Sequence, residues 1–431
     1  MSRDESVALS LPRVLNSNLH GLGLSSTLWI NERSRELEDQ GRRIFRLGLG
    51  QSPFPVPETV AQALRDHAHE KDYLPVLGLP ELRAAVVGHH KREQGLSSYV
   101  ADDVMVGPGS KELLFLLQLA YHGDLLLPNP SWVSYAPQAR IIGRQVQWLE
   151  TLAADGWLLD PELLAHHCGA DPARPRILLL NYPNNPTGNT YSGDELESLA
   201  RVAREHNVVV LADEIYGHVH HEGAHRSIAE YYPEGTILSG GLSKWCGAGG
   251  WRLGTFTFPQ SLHWLRDAMA SVASETFTST SAPIQYAAVR AFEGGPEIDS
   301  YLRLSRQILT AVGARFTAAL QACGAQVVRT LGGFYSFPDF SPLREQLSAR
   351  GIDSNAVLAQ RALDEVGVAF LGGTCFGRPS DELTARLAYV NFDGAEALRQ
   401  AADLQGEPGA LPSACDETVE AVELLADWVA R

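Results

Sequence analysis

The sequence is poor in cysteine, with five in 431 residues (Cys168, Cys246, Cys323, Cys375 and Cys415), widely spaced and odd in number. None stands at the short paired spacing of zinc sites, so reduced thiols are the simplest reading. A long apolar run is also missing: no stretch reaches the length needed to cross a bilayer. Met1 to Ser10 carries Asp4 and Glu5 where a signal peptide has its apolar core, so a cytoplasmic protein with no membrane partner is the expectation. Positive charge is scarce, with 35 Lys and Arg against 51 Asp and Glu and a formal net charge of −16. Such a field repels phosphate backbones and argues against a nucleic-acid partner. Internal repeats and low-complexity tracts are absent. No strand runs into G-x-G-x-x-G, which sets aside a nicotinamide-binding fold.

What is present reads as a globular enzyme: 45% of residues are hydrophobic and 20% charged, and the length implies roughly two domains. From Asp102 to Pro259 short apolar runs alternate with helical periodicity, the pattern of strand–helix units around a mainly parallel sheet, so the fold class is α/β. Strands are expected at 104–106, 177–180, 208–212, 237–238 and 253–258. The run 208–212 has no polar alternation and needs cover on both faces. Ser192 and Glu195 form a capping box ahead of Leu196, Leu199 and Ala203, which mark one face of a helix. The C-terminal third, with long helices expected around 300–323 and 355–366, reads as a second, smaller domain. The stretch 405–413, rich in Gly, Pro and Ala, reads as a loop.

Ligands of an open parallel sheet bind beyond the carboxyl ends of its strands, and four segments there carry chemistry. In 106–111, Gly109, Ser110 and Lys111 form a glycine turn into a helix, whose free amides make a phosphate cradle, although glycine also serves turn geometry. In 181–188 a density of Asn, Pro and Gly suggests a fixed loop presenting an amide side chain, or a structural turn. Asp213 ends the most apolar strand, where a carboxylate calls for a cation or strong donors, unless it merely caps a helix. In 239–254, glycines and alanines surround Lys244 and Arg252. A desolvated lysine near other cations becomes a nucleophilic amine; a surface lysine in a flexible loop is the alternative.

Taken in order, Asn184-Asn185-Pro186-Thr187-Gly188, Asp213-Glu214-Ile215-Tyr216, Ser243-Lys244 and Gly250-Trp251-Arg252-Leu253-Gly254 resemble the class I/II aminotransferases, the fold type I pyridoxal-phosphate family related to aspartate aminotransferase. The resemblance runs from about Arg46 to Asp393. It implies a large domain at 51–295 with a mainly parallel sheet flanked by helices. A smaller α/β domain would be built from part of 1–50, which also holds an N-terminal arm, and from 296–431. It implies that Lys244 carries pyridoxal 5'-phosphate as a Schiff base and shuttles the substrate's α-proton. Asp213 would pair with the ring nitrogen, Asn185 and Tyr216 would bind the ring's 3' oxygen, and Trp132 would stack on the ring. Gly109, Ser110, Lys111, Ser243 and Arg252 would surround the phosphate. Tyr73 would reach the phosphate of a second subunit, so a homodimer with shared sites is implied. Arg386 would grip the substrate carboxylate, helped by Gly50, unless it is an exposed strand arginine. Gly241 departs from branches that place a phosphate-binding serine there.

The function expected is transfer of an amino group between an L-amino acid and a 2-oxo acid. Lys111 suggests a dicarboxylic substrate, while Glu275 to Thr278 lacks the arginine another branch uses for that purpose. Aromatic or alanine-type donors, or a carbon–sulfur β-lyase on the same scaffold, are the alternatives. No metal is expected: His218, His220, His221 and His225 read as solvated loop residues.

Overall fold

A computed structural model describes residues 14–23, 26–404 and 409–431; four residues of the predicted loop, 405–408, therefore lie outside the described residues. Among the described residues the strands are β1 (Phe45–Arg46), β2 (Val104–Gly107), β3 (Asp124–Asn129), β4 (Val146–Glu150), β5 (Arg176–Asn181), β6 (Val209–Asp213), β7 (Thr236–Gly241), β8 (Gly254–Thr257), β9 (Tyr335–Ser336), β10 (Val368–Ala369), β11 (Leu371–Gly372) and β12 (Ala385–Ala388). Seven form one sheet in the order β2-β8-β7-β6-β5-β3-β4. Its pairings are parallel from β4 through β7, and β8 runs antiparallel to both neighbours.

The apolar runs explain the layering. Successive side chains of a strand point to opposite faces. Leu178, Leu180, Val210, Ala212 and Leu238 enter one core, while Ile177, Leu179, Val209, Leu211 and Ile237 enter another. Each fully buried side chain of this kind contributes about 2 kcal/mol of transfer free energy, which drives helices onto both faces. Leu196, Leu199 and Ala203 of helix Gly193–Glu205 cover the first; helices Ser110–Ala120 and His263–Thr276 cover the second. The capping box is closed: Glu195 N–H donates to Ser192 Oγ at 3.3 Å and Ser192 N–H to Glu195 Oε2 at 2.7 Å.

The five anticipated strands form with ends shifted by one to three residues, and β3 and β4 join them unannounced. The C-terminal part packs helices Pro296–Ala322, Asn355–Val366 and Asp416–Val429 around Leu309, Phe316, Leu358, Val422 and Trp428. It holds the antiparallel sheet β11-β12-β9, and the early strand β1 pairs with β10, Phe45 opposite Val368. No helix of the described residues is long and apolar enough to cross a membrane.

Candidate active site

The carboxyl ends of β2, β3, β5, β6 and β7 share one edge of the large sheet, and β8, running the other way, starts there, with Gly254 opposite Gly107. A cavity of about 510 Å³ has its lining contributed by the segments that leave this edge, together with Gly50, Tyr335 and Arg386.

One wall is cationic. Gly109, at φ +89°, caps helix Ser110–Ala120. A Cβ added there would come 2.2 Å from Arg252 Nη2, so glycine is required by both backbone and space. Arg252 adopts a left-handed backbone, φ +54°, unusual for its type. Lys111 Nζ lies 5.1 Å from the centre of the Trp132 ring. Burial, with Arg252 nearby, pushes the Lys111 ammonium below its ordinary range. Free helix amides and two cations in a space cleared by glycine constitute an anion cradle. The departure at Gly241 has a steric cause, because a side chain there would strike the Leu253 carbonyl at 2.6 Å.

On the cavity floor, Asp213 is buried at the end of β6. Tyr135 donates its hydroxyl to Oδ2 at 2.6 Å, Ser239 donates to Oδ1 at 3.2 Å, and Asn181 Nδ2 donates to the Asp213 carbonyl at 2.7 Å. Burial raises the Asp213 pKa, and the hydrogen bonds from Tyr135 and Ser239 and from the Ile215 backbone oppose the rise. The residue caps no helix of the described residues; it is a desolvated carboxylate held by neutral donors.

In the same cavity, Lys244 donates Nζ–H to the Gly50 carbonyl at 2.7 Å. Its amine keeps access to the cavity, yet desolvation, followed by the charges of Arg386, Arg252 and Lys111 and opposed by Asp213, lowers its pKa to about 8. That range makes it usable as a nucleophile and as a proton carrier. The Gly50 carbonyl thus holds the lysine, and Gly50 lines the cavity.

Arg386 on β12 closes the far side and is buried, not exposed. Nη2 donates to the Gly48 carbonyl at 2.5 Å and Nη1 to Asn185 Oδ1 at 3.3 Å, while Nε has no partner among the described residues. Desolvation lowers its pKa. A buried guanidinium with donors to spare is suited to a bidentate anion. Asn185 and Tyr216 adjoin each other there, Nδ2 lying 3.5 Å from Oη.

Ser110, Lys111, Trp132, Asn185, Asp213, Tyr216, Ser243, Lys244, Arg252, Arg386 and Gly50 all line the one cavity, and Gly109 backs it. Tyr73 does not; it stands 89% exposed on the chain's surface. Tyr135, Asn181, Ser239 and Tyr335 belong to the site but were missed, since one buried tyrosine or serine reads like another without its tertiary contacts. The histidine expectation is corrected. His218 Nε2 lies 2.7 Å from His89 Nε2, His225 Nε2 lies 3.1 Å from Glu214, and burial lowers the pKa of His218 to about 3 and of His220 and His221 to about 4. These imidazoles are desolvated packing groups rather than solvated loop residues: the His218 ring packs against His89 and Trp245 and the His225 ring against Tyr182, while Arg306 of helix Pro296–Ala322 donates to the His218 carbonyl at 2.8 Å.

Known proteins are similar to this chain over most of its length. The aspartate/prephenate aminotransferase of Thermus thermophilus is 34% identical over 394 residues, covering 90% of this chain and 97% of that protein. An aspartate aminotransferase of Geobacillus stearothermophilus is 32% identical, covering 85% and 92%. Among solved structures, the aspartate aminotransferase from Thermus thermophilus with maleate superposes with a TM-score of 0.80 at 33% identity, covering 92% of this chain and 99% of that one. That from Rhizobium meliloti gives 0.81 at 26% identity, covering 96% and 99%. The family model described as aminotransferase class I and II matches residues 42–400, and with these relatives it makes the chain a member of the class I and II aminotransferases.

Proposed function

We propose that the cavity binds pyridoxal 5'-phosphate at Lys244 and serves the transfer of an amino group between a dicarboxylic L-amino acid and a 2-oxo acid. The residues fit the cofactor. The cradle at Gly109, Ser110, Lys111, Ser243 and Arg252 suits a phosphate, Trp132 offers a flat wall, and Asp213 offers the carboxylate that a protonated pyridine nitrogen calls for. When bound, pyridoxal phosphate supplies an electron sink for the pair left as the substrate's α-proton departs. Lys244 supplies the amine that carries the cofactor and afterwards holds that proton at Nζ. The Tyr135 and Ser239 hydroxyls donate to Asp213 and so favour its ionised form against the effect of burial. Tyr216 and Asn185 donate to the ring's 3' oxygen. Arg386, helped by the Gly50 amide, would orient the substrate carboxylate, and the enclosing walls keep water off the reacting atoms.

The observation that carries this reading is one cavity lined by both a lysine of pKa about 8 and a buried, neutral-bonded Asp213. The dicarboxylic preference rests on Lys111, which lines the same cavity, and on relatives named for aspartate, one of them solved with the dicarboxylate maleate. The aminotransferase names of these relatives favour transfer over β-elimination. Exposed Tyr73 and the implied homodimer fit together, because a tyrosine reaching a second subunit's phosphate lies outside its own cavity. The same reading divides the chain at residues 50 and 295 into an N-terminal segment, a large domain and a smaller domain.

An amino-donor screen on the cofactor-loaded protein tests it: aspartate or glutamate is expected to bleach the cofactor absorbance and release its 2-oxo acid. Inert dicarboxylic donors beside reactive aromatic ones would overturn the substrate class, and release of ammonia with a stable starting spectrum would favour the lyase.

A further inference from the structure

Tyr335, on the short strand β9, is fully buried, and its hydroxyl sits between groups already given roles. It lies 2.9 Å from Tyr216 Oη and 3.5 Å from the Gly50 carbonyl, the oxygen that accepts Lys244 Nζ–H. The Arg386 guanidinium stands 4.8 Å from the centre of its ring. The place is closely fitted. A Cβ on Gly50 would fall 1.9 Å from the Tyr335 hydroxyl, and the pairing of Tyr335 with Ala388 fixes its strand beside that of Arg386.

A phenol has one proton to donate and an oxygen that accepts. When Tyr216 donates to an oxygen in the cavity, its own oxygen is free to accept, and Tyr335 is the donor within good range. Asn185 Nδ2 faces the same oxygen from 3.5 Å, too far for a strong bond. Chained hydrogen bonds polarise one another, so a proton accepted from Tyr335 strengthens the proton Tyr216 gives.

We propose that Tyr335 is a positioning residue for the aminotransferase reaction, donating to Tyr216 Oη and thereby orienting and strengthening the Tyr216 hydroxyl toward the cofactor's 3' oxygen. This rests on the reading that Lys244 carries pyridoxal phosphate in this cavity. A donor to that ring oxygen favours its anionic form and releases the proton it shares with the lysine-bound nitrogen at lower pH. Weakening the donor holds that proton to higher pH.

The test is the pH titration of cofactor absorbance in the reconstituted wild type, Tyr335→Phe, Tyr216→Phe and the double variant, with thermal unfolding followed in parallel. Tyr335→Phe is expected to raise the midpoint by roughly half a pH unit and Tyr216→Phe by more. The double variant is expected to titrate like Tyr216→Phe alone, because the first change acts through the second residue. An unmoved midpoint in Tyr335→Phe, or the same increment added on top of Tyr216→Phe, overturns the proposal. So does a Tyr335→Phe protein that is unfolded or no longer retains cofactor, since the hydroxyl would then be structural. Borohydride reduction of the wild type and the mass of the peptide holding Lys244 test the underlying reading separately. An unmodified Lys244 removes both claims, whereas a modified one with an unmoved Tyr335→Phe midpoint removes this one alone.

Discussion

Tyr135 and Ser239 divide the Asp213 carboxylate between them, the Tyr135 hydroxyl donating to Oδ2 at 2.6 Å and Ser239 on β7 donating to Oδ1 at 3.2 Å. A hydrogen bond to a charged acceptor contributes about 1.5 to 3 kcal/mol. Tyr135→Phe should therefore raise the Asp213 pKa further and loosen its hold on a protonated ring nitrogen. Equilibrium binding of pyridoxal phosphate is expected to weaken roughly tenfold or more; unchanged binding would mean that this bond does not support the site.

Lys244→Ala removes the only amine placed for covalent attachment among the described lining residues apart from Lys111. Cofactor that still binds should not be fixed by borohydride. Turnover is expected to fall by at least about 10² to 10⁴, the usual worth of a positioned acid–base group.

The depressed Lys244 pKa has a kinetic consequence. Only the neutral amine attacks a carbonyl, so capture of pyridoxal phosphate by apoprotein should accelerate as pH rises through about 8 and level off above it. Arg386 is the largest charge lowering that pKa after desolvation, so Arg386→Met should move the inflection to higher pH. Stopped-flow absorbance across pH 6 to about 10 reads both. An inflection that stays put in the variant contradicts the charge coupling.

Substrate grip is read separately. Arg386→Met also removes a guanidinium whose Nε has no partner among the described residues, and KM for the amino donor is expected to rise roughly a hundredfold with a smaller change in kcat. A KM within a factor of two of wild type would reassign the arginine to a structural role.

Gly109→Ala forces a Cβ within 2.2 Å of Arg252 Nη2 at a backbone of φ +89°. Strain of about 1 to 3 kcal/mol and displacement of Arg252 should reduce cofactor retention at least tenfold while the far-ultraviolet circular dichroism stays unchanged. Retention equal to wild type would show that the cradle tolerates a side chain.

Much of this was legible along the chain because apolar runs and polar punctuation coincide. Residues 208–212 announce a doubly covered strand, and Asp213 follows as the first acid after it. β3 was harder: Pro128 sits inside it, and proline demotes a strand in any local reading. The structure accommodates it because pairing with β5 stops at Leu126 and only β4 continues alongside. β4 lies at the sheet edge with Trp148 partly exposed, which blurs its pattern. The hydroxyls of Tyr135 and Tyr335 could not be read at all, since their partners lie 78 and 119 positions away. The histidines misled for a related reason: their neighbours are distant in the chain, His89 standing 129 positions from His218 and Arg306 88 positions from it.

Lys244 and Arg386 are tethered to the carbonyls of Gly50 and Gly48, 194 and 338 positions earlier. During synthesis, then, the segment around Gly48 emerges first and waits on the order of tens of seconds for the arginine that will grip it. Strand β1 waits equally for β10. Nascent chains released early would carry Lys244 and Asp213 without Tyr335 and Arg386, so the cavity's lining is complete only once the C-terminal part has been made.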